Sequence, residues 1–69
     1  MIHVFKTSVT TKEEILTIKE ALDDLLFPGN WNFDLDDCDN ILRVDSDTVQ
    51  ASLVIKLMQE NSFECEELN

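Results

Sequence analysis

Among 69 residues the chain has a single glycine, Gly29, a single proline, Pro28, and no tyrosine. A phosphate-cradling loop or a nucleophile elbow needs several closely spaced glycines, so neither is present. There is no Ser-His-Asp set, and His3 is the only histidine. Bases are scarce as well: five Lys and Arg stand against fifteen Asp and Glu, a formal net charge of −10. Nucleic-acid backbones and anionic membrane surfaces are bound by clustered Lys and Arg, so the composition argues against both as partners. A protein partner, if there is one, is expected to be basic or to touch an uncharged patch. No apolar run approaches the roughly 18 residues that span a bilayer. Residues 1–10 lack the basic-then-apolar pattern of a secretory signal. The expectation is a cytoplasmic protein. Its two cysteines, Cys38 and Cys65, form no Cys-x-x-Cys pair and should be free thiols in a reducing compartment.

What is present is a core. Hydrophobic residues make up 43% of the chain, enough for a folded domain rather than disorder. Residues 1–69 form one domain at most. At this size folding hides only about 60% of the surface of the unfolded chain, so the core is thin and leaves little room for a deep substrate pocket.

Residues 2–9 read as a strand, with Phe5, Thr7 and Val9 on one face and His3 at its outer end. Ile2, Val4, Lys6 and Ser8 share the other face. Thr10 or Thr11 followed by Glu13 or Glu14 is a capping-box pattern for a helix N-terminus. Ile15, Ile18, Leu22 and Leu25 then repeat at helical spacing, and Leu16, Ala21 and Leu26 widen the stripe. Pro28-Gly29 ends the helix. Trp31, Phe33 and Leu35 alternate with polar residues in a second strand, and Leu42 and Val44 in a third. Residues 36–40 form a polar hairpin turn between them. Ser46 or Asp47 is expected to cap a second helix. Its buried face is Ala51, Val54 and Met58, flanked by Leu53, Ile55 and Leu57. Asn61-Ser62 breaks it before a short last strand holding Phe63, Cys65 and Leu68.

Two one-sided helices and four one-sided strands in this order pack as an α+β, ferredoxin-like βαββαβ sandwich. Both helices cover one face of a four-stranded antiparallel sheet. A right-handed crossover between the first two strands leaves a gap for the third, so the expected order is 4-1-3-2.

Over nearly its whole length this layout resembles the heavy-metal-associated domains of copper chaperones and metal-pumping ATPases. The resemblance is carried by Val4-Phe5-Lys6-Thr7-Ser8-Val9, by Ile18 with Ala21-Leu22, by Phe33-Asp34-Leu35, by Leu42-Arg43-Val44 and by Ser62-Phe63-Glu64-Cys65. It implies the same fold and, in the family, a Met-x-Cys-x-x-Cys metal loop after the first strand. The corresponding stretch here is Val9-Thr10-Thr11-Lys12-Glu13-Glu14. Thr11 and Glu14 stand where the two thiolates would be, and they do not replace the soft ligands that Cu(I) requires. No metal ligand is therefore carried over. The family's frequent glycine before the last aromatic is Ser62.

The remaining candidate residues read mostly as structural. Cys65 is expected to face inward, and Cys38 to lie as an ordinary thiol in the acidic turn. In the expected order they sit on opposite sheet edges, about 14 Å apart. A disulfide tolerates about 7 Å between Cα atoms, so none is expected. His3 has no neighbouring ligand for zinc. The acidic run from Asp34 fails as a calcium loop, because Asp39 and Asp45 occupy the positions that need glycine and glutamate. Phe27 and Trp31 are expected to staple the helix to the second strand at the opposite end, or to form an apolar patch.

The fold brings the loop after the first strand, the hairpin turn and the end of the second helix to one end. That end would carry Glu13, Glu14, Asp36, Asp37, Asp39 and Glu60, a candidate acidic docking surface. The leading expectation is thus a noncatalytic interaction or adaptor module with no cofactor, whose unknown partner is a basic protein or a second copy in a homodimer. The alternative is a metal-ion carrier with unconventional ligands, such as Cys38 with nearby aspartates.

Overall fold

A computed structural model describes residues 2–35 and 40–68. The elements run β1 (Ile2–Thr7), α1 (Lys12–Leu26), β2 (Asn30–Asp34), β3 (Ile41–Asp45), α2 (Ala51–Glu60) and β4 (Cys65–Leu68). The four strands form one antiparallel sheet in the order β2-β3-β1-β4. This is the expected 4-1-3-2 order read from the other edge.

The register explains the core. Phe5 lies opposite Leu42, and Leu42 opposite Phe33, so an apolar row crosses three strands on one face. Ile18, Leu22 and Leu26 of α1 and Val54 and Met58 of α2 join Phe5, Val9, Leu42 and Val44 in a single buried cluster. Because both helices contribute to it, both lie on that face. Each such side chain contributes on the order of 1.5–3 kcal/mol by leaving water.

Local signals start α1 as its sequence suggests. Thr11 is the N-cap, and its side chain and that of Glu14 exchange bonds with each other's backbone in a complete capping box. At the other end of α1, Gly29 has no space for a side chain. A Cβ there would meet the carbonyl oxygens of Asp45 at 2.6 Å and Leu26 at 2.7 Å. The chain turns so tightly into β2 that only glycine fits.

Several expectations need correction. Leu16 is 67% exposed. It lies two residues, about 200°, around the helix from Ile18, so it cannot share the face of Ile18, Leu22 and Leu26. Leu53, expected to flank the buried face of α2, is 46% exposed one residue from the buried Val54. Phe27 is 83% exposed and staples nothing. β1 ends at Thr7, although Val9 beyond it is fully buried.

Neither Ser46 nor Asp47 caps α2. Its N-cap is Gln50, which makes no side-chain capping bond. The buried Ser46 Oγ instead accepts the N–H groups of Thr48 and Val49 at 3.3 and 3.2 Å. This closes a turn that carries the chain from the sheet to the helix layer before α2 begins.

The end of α2 is a Schellman motif. Phe63 N–H donates to Met58 O at 2.9 Å and Ser62 N–H to Gln59 O at 3.0 Å. Ser62 adopts φ 68°, the left-handed conformation that favours glycine. Phe63 then packs against the core beside Met58. Phe63 thus precedes β4 rather than belonging to it.

Candidate functional site

The topology brings the α1 N-terminus, the β2–β3 connection and the α2 C-terminus to the end where β1 and β2 finish and β3 and β4 begin. Of the candidate acidic residues, Glu13, Glu14 and Glu60 are described. Asp36, Asp37 and Asp39 lie outside the described residues, as does Cys38.

The three described acids are not equivalent. Glu13 is exposed in the first turn of α1, where the helix dipole favours negative charge. Glu14 is committed to the backbone. Its Oε1 accepts Thr10 N–H at 2.9 Å, Thr10 Oγ1–H at 3.0 Å and Thr11 N–H at 3.2 Å. These bonds, the one from the Thr10 backbone foremost, hold its carboxyl below the usual glutamate range. Thr11 Oγ1 in turn accepts Glu14 N–H at 3.2 Å. Glu60 is the last residue of α2 and exposed. There it faces the negative end of the helix dipole, a placement that helix stability does not explain.

Sequence reasoning missed two bases at this end. A groove of about 410 Å³ is lined by Lys12, Ile15, Phe33, Leu35, Asp34 and Arg43, among others. Arg43 Nη1 bonds Asp34 Oδ2 at 3.4 Å across neighbouring strands. The strand alternation places Arg43 beside β2 but not against α1. Its side chain nonetheless lines the same groove as Lys12.

The other singled-out residues have structural partners. His3 is half-buried, and its Nδ1 bonds Glu67 Oε2 at 3.0 Å. A carboxylate only accepts, so Nδ1 carries the proton. Its ring lies 6.3 Å from that of Phe5. Cys65 is a half-buried free thiol. Burial pushes its pKa up to about 11, which keeps it protonated and a poor nucleophile or ligand near neutral pH. Cys65 lies on β4, the edge strand opposite β2. Among the described residues, no three His, Cys, Asp or Glu side chains converge as metal ligands. None of the described helices is long and apolar enough to cross a membrane.

No protein-family profile matches the chain, and searches of the curated proteins and of the solved structures give no significant match. The likeness to heavy-metal-associated domains therefore rests on its residue pattern.

Proposed function

We propose that the chain is a noncatalytic interaction module, similar in layout to heavy-metal-associated domains, whose former metal end docks a basic protein partner. The observation that supports this reading is the capping box. The two positions that hold thiolates in the family hold Thr11 and Glu14, and their side chains are bonded to each other's backbone. A hydroxyl and a carboxylate so engaged do not suit Cu(I), which selects soft sulfur ligands. The loop serves to start α1, and the surrounding charge is left as the recognition feature. Glu60, which the helix dipole disfavours, belongs to that feature together with Glu13, Asp36, Asp37 and Asp39. Glu14 adds charge, but its contacts are internal.

The test has two arms. Native mass spectrometry of the reduced protein with Cu(I), Zn(II) and Ca(II) is expected to show no stoichiometric metal. Uptake of one ion would overturn this reading in favour of a metal carrier. In the second arm, binding of a lysine- and arginine-rich peptide is compared between two double variants of equal net charge. Asp36→Lys with Asp37→Lys should weaken it far more than Glu20→Lys with Asp24→Lys on α1. Equal weakening would reduce the acidic end to a merely charged surface.

A further inference from the structure

The helices cover one face of the sheet and leave the other open. Ile2, Val4 and Leu68 project from that open face. Val4 and Leu68 are cross-strand partners, and Ile2 is two residues from Val4 on the same side. Ile2 is 64% and Leu68 37% exposed. The other large exposed hydrophobics, Leu16, Phe27 and Leu53, belong to α1, the turn after it and α2, so this group is the one built on the sheet. Beside it is a depression of about 270 Å³ lined by Ile2, Asn32, Arg43 and Asp45, among others.

The charge on this face differs from the rest of the molecule. Its strand positions carry Lys6 and Arg43 against Asp34, Asp45 and Glu66. That is a net −1 out of −10 for the chain, leaving −9 on everything else. The charges also interleave: Asp34, Ile41, Lys6 and Glu66 follow one another across the four strands, with Arg43 and Asp45 alternating along β3.

We propose that this face is a self-association surface, on which a second copy of the chain packs its own open sheet face. Complementarity selects the occupant. A strongly basic partner gains nothing at a nearly neutral face when the rest of the surface is acidic. Two copies meeting through the acidic end, or through the outer side of α1 with Glu13, Glu20, Asp23 and Asp24 against Lys12 and Lys19, bring like charges together. Through this face each copy offers both signs and an apolar group on β1 and β4, as an isologous contact requires. The face shares Asp34 and Arg43 with the groove at the acidic end, whereas Ile2, at the opposite end of β1, belongs to this face alone, so a substitution there separates the two readings.

Sedimentation velocity at about 150 mM salt screens the net repulsion beyond roughly 8 Å. The mass should rise from monomer towards dimer between about 10 μM and about 1 mM, the range of a modest interface. Ile2→Glu and Arg43→Glu should each move that midpoint at least about tenfold upward, as loss of an anchoring contact does. Lys56→Glu, on the exposed side of α2, makes the same change in net charge as Arg43→Glu and a larger one than Ile2→Glu, and should leave it nearly unmoved. Far-UV circular dichroism checks that each variant is folded. In the unsubstituted protein, amide shift changes on dilution should centre on Ile2, Val4, Arg43 and Leu68. A chain that stays monomeric, a dimer weakened equally by Lys56→Glu, or dilution shifts confined to the helices would overturn the proposal.

Discussion

The indole Nε1 of Trp31 on β2 donates to Asp23 Oδ1 on α1 at 2.8 Å, and Lys19 Nζ donates to the other carboxylate oxygen at 3.0 Å. Asp23 lies near the C-terminal end of α1, where a negative charge opposes the helix dipole. The two donors offset this and tie the helix to the sheet edge. Trp31 is the chain's single tryptophan, so its fluorescence reports on the link directly. The bond from Lys19 first, then that from Trp31, holds the Asp23 carboxyl below the ordinary aspartate range. Its stabilising effect is therefore complete above the unfolded-state pKa and is lost as pH falls through the lower folded value. Trp31 emission should titrate below the ordinary aspartate range, and Asp23→Asn should abolish that titration. An unchanged acid transition in Asp23→Asn would show that the bond is absent in solution.

The capping box invites a conservative pair of substitutions. Thr11→Ala removes the acceptor of Glu14 N–H and should lower unfolding stability by about 1 kcal/mol in a urea titration. Thr11→Ser keeps the hydroxyl and should recover most of it. Glu14 adds a pH dependence of the same sign as that of Asp23. Its carboxyl is held low by Thr10 and Thr11, so its effect fades only as pH falls below the ordinary glutamate range.

Ser62 is the opposite case, a position where the native residue is not the best one. At φ 68° a Cβ is strained and glycine is not. Ser62→Gly should raise stability by about 0.5–1 kcal/mol, the strain relief exceeding the added freedom of the unfolded chain. Ser62→Ala, which keeps the Cβ, should give no such gain. Thermal unfolding of the two variants decides it.

Two neighbouring apolar residues of α1 should behave very differently. Ile18 is fully buried and Leu16 67% exposed. Ile18→Ala should cost about 2–5 kcal/mol through lost burial and the cavity left behind. Leu16→Gln should stay within about 0.5 kcal/mol of the parent. Equal costs in chemical denaturation would mean that α1 is rotated about its axis.

How far the sequence reaches can be judged from these same residues. Strand alternation and helical spacing identified six elements, the buried positions Phe5, Ile18, Leu22, Leu42, Val44, Val54 and Met58, and a cap at Thr10 or Thr11 with Glu13 or Glu14, which the structure resolves as Thr11–Glu14. Those features depend on residues close together in the chain, so their pattern is local. The strand order was also accessible, because a chain this short has few ways to bury two helical stripes and four strand faces at once.

Other features depended on where distant segments meet. The delay of α2 to Ala51 follows from the distance the chain must cover between layers, which no local cap expresses. Ser62 takes the left-handed turn because Phe63 must return to the core beside Met58. The groove shared by Lys12 and Arg43, the bond from Trp31 to Asp23, and the near-neutral open face all join residues from different elements. Composition alone determined that the chain is acidic and without a glycine-rich phosphate loop. Only tertiary structure decided how that charge is distributed, because strand pairing sets which side chains share a face.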